Sequence, residues 1–244
     1  MIQVAEREEQ RKKLLELCQK SAFGCKIASI ATAYGFDKKF SCFWKEQDSN
    51  AVYCLVDDVM IISGTPKNAE ETNMFLKMVG AKEIMCALRG AEKLSMPMQH
   101  QGDVLQKKLE FESGAFVDTS EVNIREIYFL LEECGMETDF EAFYMDLSHR
   151  LRHEAALVVT EYQESQLVGC AVVSSITDTA AILSAVAVKE SFRRKGIASE
   201  LIKQAEAALG GKTIYIFKEK GLHEEFYKQL GYHKADTWVN APVE

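Results

Sequence analysis

Between residues 193 and 199 the sequence reads Arg193-Arg194-Lys195-Gly196-Ile197-Ala198-Ser199. Three adjacent cations, a glycine and small residues thus fall where an apolar strand gives way to an amphipathic helix. A strand that feeds a helix through a glycine turn presents unpaired backbone N–H groups and the positive end of the helix dipole, which together hold an anion. Gly196 and the small Ala198 leave room for the backbone to approach a diphosphate, where bulkier side chains would intrude. The spacing is neither a Walker A loop nor G-x-G-x-x-G, so the usual nucleotide folds are not indicated.

The elements that must position this segment follow from periodicity. Upstream, 155–162, 167–175 and 180–188 read as three strands, the last nearly all apolar as in a strand buried on both faces. Downstream, a helix over 196–209 places Ile197, Leu201, Ile202, Ala205, Ala208 and Leu209 on one side and stops at Gly210-Gly211. A strand over 213–217, a helix over 222–230 and a strand over 232–239 complete this half. Ahead of it come a strand near 104–111 and helices near 120–134 and 140–152.

The first hundred residues hold helices over 5–19 and 22–34. Strands over 40–45 and 52–62 then form a hairpin around Asp48-Ser49-Asn50. A helix opening at Thr65-Pro66 and ending at Gly80 leads to a strand over 84–88. Residues 90–102 read as irregular, which sets a domain boundary between 1–102 and 103–244. The fold class is mixed α/β, with antiparallel strands first and a strand-helix-strand crossover after.

Composition narrows the function classes. The chain has 244 residues, 47% of them hydrophobic, and three prolines, as expected of a folded soluble protein. Its net charge of −8 is concentrated: residues 104–146 hold eleven acids against Lys107, Lys108 and Arg125. An acidic chain without a basic stripe is a poor binder of nucleic acid or anionic membrane, since both need Lys and Arg to meet phosphate charge. With no apolar run long enough to span a bilayer and a polar start, a cytoplasmic protein is expected. Seven widely spaced cysteines without a C-x-x-C pair read as reduced core residues and supply neither disulfides nor a metal site.

The segment 193–199 matches the acyl-CoA signature R/Q-x-x-G-x-G/A of the GNAT N-acetyltransferase family. Val188-Lys189-Glu190-Ser191-Phe192 resembles that family's V-x-P-x-Y lead-in, with Glu190 in place of the usual proline. Phe226-Tyr227-Lys228-Gln229-Leu230-Gly231-Tyr232 is similar to its F-Y-x-x-x-G-F/Y ending. The element order from about 104 to 244 resembles the whole family fold. The N-terminal half lacks the phosphate signature but echoes the same order, and it resembles a degenerate GNAT-like half that would shape the acceptor cleft or mediate dimerisation.

The resemblance implies an acetyltransferase that uses acetyl-CoA as cosubstrate and needs no metal. The strand backbone at Val186, Ala187 and Val188 would pair with the pantetheine arm. The segment Arg193, Arg194, Lys195, Gly196, Ile197, Ala198 and Ser199 would hold the pyrophosphate, its amides from Arg194 to Ser199 donating and Arg193 adding a side-chain contact. Tyr227 would protonate the departing thiolate. The acceptor would be a small-molecule or peptide primary amine, and the acidic block suggests a cationic one. Two departures stand out: Lys220 replaces the asparagine often found seven residues before the tyrosine, and 180–188 contains no carboxylate to serve as base, only Ser184 being polar. Glu161, His149, His153 or a water relay remain for that role. The rival expectation is a non-catalytic CoA-binding regulatory or interaction module that keeps the fold.

Overall fold

The computed structural model describes residues 1–110 and 122–243. The chain first runs through β1 (Ile2–Val4), α1 (Glu8–Cys18), α2 (Ala22–Tyr34), β2 (Ser41–Glu46), β3 (Val52–Val56) and β4 (Val59–Ser63). Next come α3 (Ala69–Met78), β5 (Glu83–Ala87), α4 (Leu88–Leu94) and β6 (His100–Lys108). Then follow α5 (Ile124–Glu133), α6 (Phe140–Arg152), β7 (Leu157–Gln163), β8 (Gln166–Ile176) and β9 (Ala180–Val188). After a 3-10 turn at Glu190–Phe192 come α7 (Ile197–Ala208), β10 (Thr213–Glu219), α8 (Glu224–Gln229) and β11 (His233–Pro242). The order from α1 to β6 is the order from α5 to β11, so the repeat suspected in the sequence extends over every element from the first helix of each half.

Two compact units result. The first comprises 1–106, 217–228 and 232–244, and the second 107–216 and 229–231. In the first unit the strands lie in the order β1-β2-β3-β4-β5-β11-β6, antiparallel throughout except for the parallel pair β4 and β5. Strand β11 supplies Val239 and Ala241, both fully buried, to a core built from Tyr53, Met60, Ile62, Leu76, Ile84 and Leu94. Burying several such side chains stabilises the unit by roughly 1.5–3 kcal/mol each relative to exposure.

In the second unit β7, β8 and β9 are antiparallel and β10 runs parallel to β9. Its core joins Ile127, Leu130 and Leu131 of α5 to Val158 of β7, Val172 of β8 and Ala187 of β9. The apolar stripe expected on α7 is present, with Leu201, Ile202 and Ala205 buried.

Three sequence expectations change. The strand read over 52–62 is two strands, β3 and β4, because Asp57 takes φ +53° and turns the chain back between Val56 and Val59. Aspartate tolerates that left-handed conformation, so the Asp57-Asp58 pair was the signal. The third helix starts at Ala69 behind Asn68, whose side chain accepts the Glu71 amide at 3.1 Å, and not at Thr65-Pro66. The irregular stretch 90–102 holds most of α4, stopped by Ser95 at φ +54°, and the start of β6. Leu105 to Lys108 fall in β6 as expected, while Phe111, Ser120 and Glu121 lie outside the described residues.

None of the seven cysteines is in a disulfide, and five are buried: Cys18, Cys25, Cys54, Cys86 and Cys170. Burial pushes the Cys18, Cys86 and Cys170 thiols up to about 12, which leaves them protonated and unreactive at neutral pH. Cys42 is exposed and Cys134 half-buried. Among the described residues no helix is long and apolar enough to cross a membrane.

Candidate functional site

The site begins with an irregularity in β9. Val172 of β8 faces Ala185 and Val173 faces Leu183, so Ser184 is an extra residue on its strand; a second shift between Val173 and Ser175 compensates on β8. The Ser184 hydroxyl donates to the Val172 carbonyl at 3.0 Å, which satisfies the bulge. A bulge bends and twists its strand. The parallel pairing of β9 with β10 covers Ala180, Ala181 and Ile182. Among the described residues the strand pairs from Leu183 to Val188 with β8 only, leaving one backbone edge open in the second unit. Val186, Ala187 and Val188 lie on that open stretch.

Gly169 of β8 sits opposite Val188. A Cβ there would meet Ile197 and Leu201 of α7 at 3.0 Å, so glycine is what lets the first turn of α7 pack against the sheet at the end of β9. An isolated glycine inside an apolar strand is a legible sign of such an approach.

Between β9 and α7 the chain turns through Glu190–Phe192, with the Arg193 amide on the Glu190 carbonyl at 3.2 Å. Arg194 and Gly196 take φ +63° and +85°. Left-handed residues in such a turn aim successive amides to one side, the geometry of an anion nest. Helix α7 has no side-chain cap at its start, and its first bonded amide is Glu200, on the Gly196 carbonyl at 3.1 Å. The amides of Ile197, Ala198 and Ser199 therefore point out of the helix start without an acceptor among the described residues. A Cβ on Gly196 would meet nothing within 4 Å, so the space beside it belongs to no protein group. These features fit a diphosphate at the helix start. A cavity of about 450 Å³ adjoins it, lined in part by Lys195, Gly196, Ser199, Lys203 and Glu161.

Tyr227 lies on α8, in a stretch that belongs to the first unit, whereas the loop 193–199 belongs to the second. Its ring meets Phe226 and Tyr232 edge-on at 5.1 and 5.9 Å. The Tyr227 amide donates to His223 and its carbonyl accepts from Tyr232, so both ends of the residue are held. Burial raises the phenol above its ordinary value of 10.0, which keeps the proton on the oxygen at any physiological pH. The hydroxyl has no hydrogen-bond partner among the described residues.

The stretch before α8 is anchored by residues that sequence reasoning missed. Lys218 at the end of β10 donates to Asp103 Oδ2 at 3.2 Å, with both side chains under a tenth exposed, and its carbonyl accepts from the Trp238 indole at 3.0 Å. A lone basic residue in a strand carries no signal of burial until a distant aspartate is known to face it. Lys220 is exposed.

Among the base candidates, Glu161 adjoins the register shift of β7 and lines the cavity near Gly196. His149 and His153 pack against each other, their rings tilted by 42° with centres 4.3 Å apart. Several acids of the 104–146 block have internal partners: Asp139 caps α6 by accepting the Ala142 amide, Asp146 pairs with Arg150, and Glu126 accepts the Tyr162 hydroxyl. That weighs against reading the whole block as a substrate mouth.

Residues 153–234 match the family model described as the acetyltransferase (GNAT) domain. Over 86 residues, 35% of this chain, the sequence is 30% identical to an uncharacterized N-acetyltransferase of Chlorobaculum tepidum. That match covers 55% of the relative, so the chain spans about half its length. Among solved structures, a GNAT-family acetyltransferase from Colwellia psychrerythraea aligns over 100% of both chains at 13% identity and a TM-score of 0.60. A tandem GNAT protein from the clavulanic acid biosynthesis pathway aligns over 100% of this chain and 99% of its own at 11% identity and the same TM-score. The fold is thus the GNAT fold with GNAT-like halves in tandem, and residues 153–234 are similar to the family's acetyltransferase domain.

Proposed function

We propose that the protein transfers an acetyl group from acetyl-CoA to a primary amine by direct attack in a ternary complex. The observation that carries this is the start of α7, where three outward amides and the left-handed turn at Arg194 and Gly196 stand at the end of a strand with an open edge. Val186, Ala187 and Val188 offer backbone groups to a pantetheine arm, and the amides from Arg194 to Ser199 hold the pyrophosphate. Acetyl-CoA, when bound, supplies an activated thioester. The amine nitrogen bonds to the acetyl carbon as the carbon–sulfur bond breaks. Tyr227, assigned on its motif and its raised, unpartnered phenol, gives its proton to the departing sulfur. The amine's proton passes to a base, for which Glu161 or a water relay serves in a protein whose β9 has no carboxylate.

The acceptor is a small-molecule or peptide amine, and polyamines and aminoglycosides are the first cations to screen. The boundary at 102/103 divides the proposed acetyltransferase half from a GNAT-like half that shapes the acceptor side. Seven cysteines outside any disulfide, five of them buried, support a cytoplasmic location.

Calorimetric titration with acetyl-CoA tests the proposal. Saturable one-site binding that disappears in an Arg194→Glu/Gly196→Trp variant is expected, and no binding by the folded wild type overturns it. A second reading, a CoA-binding module without turnover, draws on the missing carboxylate of β9. Tyr227→Phe separates the two: an enzyme loses turnover and keeps its CoA affinity, while a module has no turnover to lose.

A further inference from the structure

The three adjacent cations of the anion loop differ in what they touch. Arg193 Nε donates to the Val188 carbonyl at 2.9 Å, and its Nη2 lies 3.8 Å from Cys134 Sγ at the end of α5. The Cys134 thiol itself reaches the Val188 carbonyl at 3.6 Å. Arg193 therefore closes the turn back onto the last residue of β9. The Lys195 ammonium lies over the Phe192 ring, 4.8 Å from its centre, and is likewise turned back onto its own loop. Arg194 is exposed, takes the left-handed conformation, and has no side-chain partner among the described residues.

We infer that the run divides its labour: Arg193 is a positioning residue that fixes the loop through the Val188 carbonyl, and Arg194 is the cation that meets the ligand's phosphate. This rests on the acetyl-CoA reading and revises the phosphate contact expected of Arg193. A guanidinium that donates to a neutral carbonyl acts by geometry, so a neutral amide in its place keeps the function. A cation that faces a phosphate acts by charge, and its contribution falls as salt screens it. A positioning arginine and a phosphate-binding arginine thus differ in salt dependence, not only in affinity.

The test is calorimetric titration of the full chain with CoA at low and high salt, on wild type, Arg193→Gln, Arg193→Met and Arg194→Gln. Arg194→Gln is expected to weaken binding about tenfold at low salt, the size of one charge-assisted contact, and to flatten the salt dependence. Arg193→Gln, which keeps a donor and loses the charge, is expected to stay within about threefold of wild type with the wild-type salt dependence. Arg193→Met, which keeps neither, is expected to weaken binding about tenfold while the salt dependence stays that of wild type. If Arg193→Gln flattens the salt dependence as Arg194→Gln does, Arg193 meets the phosphate and the division is overturned. That comparison stands on Arg193→Gln alone should the methionine variant not fold. No CoA binding by folded wild type overturns the acetyl-CoA reading itself, and so is distinguishable from a failure of the division.

Discussion

The N-termini of α3 and α7 occupy the same place in the two repeats, each following a strand that runs parallel to the next strand for three paired residues. Their chemistry is opposite. At α3 two donors are answered from within: Asn68 accepts the Glu71 amide, and Glu46 Oε2 accepts the Lys67 amide at 2.8 Å. At α7 no side chain caps the helix. The glycines differ in the same sense. A Cβ on Gly64 would lie 2.5 Å from the Asn50 carbonyl, whereas one on Gly196 would meet nothing within 4 Å. A helix start holds an external anion only where the protein has left its amides unanswered, so similarity of fold alone does not transfer the site from one half to the other.

The sharpest way to break this comparison is to load both glycines. Gly64→Ala meets a backbone oxygen at positive φ and is expected to lose about 3 kcal/mol or more of stability, read as a lowered Tm, with CoA affinity unchanged in the folded fraction. Gly196→Ala carries only the cost of its φ, about 1 kcal/mol, and is expected to act chiefly on CoA affinity. Equal destabilisation by the two would dissolve the contrast.

Turnover should separate the halves next. Tyr227→Phe is expected to lower kcat about a hundredfold with the CoA Kd unchanged, as measured by thiol release and calorimetry. The pH profile has a defined sign. Because burial raises the phenol, the protonated donor persists past its ordinary value, so the alkaline fall of kcat lies above pH 10 and is absent in the phenylalanine variant. The same shift stabilises the fold below the unfolded pKa and is lost as pH rises through the folded one.

A smaller effect tests whether the first half is closed to ligand. Glu46, 1% exposed, answers an amide that Glu46→Ala would leave without its acceptor, at a cost of about 1–3 kcal/mol. The CoA stoichiometry is expected to remain one. A second equivalent bound by this variant would mean that a single carboxylate keeps the first half silent.

What the sequence made legible was local. Helices α2 and α6 and strand β9 fall where periodicity put them, and the turn at 193–199 was readable because its residue types act through backbone geometry within seven positions. The bulge at Ser184, the approach at Gly169 and the pair of Lys218 with Asp103 depend on partners far along the chain, which no local pattern carries. Arg193 was legible as a cation, while its neutral partner, the Val188 carbonyl, is a backbone atom that every residue possesses.

The place of β11 between β5 and β6 bears on synthesis. Strand β5 ends at residue 87 and β11 begins at residue 233, so the ribosome makes every element from α4 to α8 before it makes the strand that β5 awaits. At typical elongation rates that interval is on the order of ten seconds. During it the nascent first half exposes an apolar strand edge, and the usual order of translation, in which the part made first is finished first, is reversed.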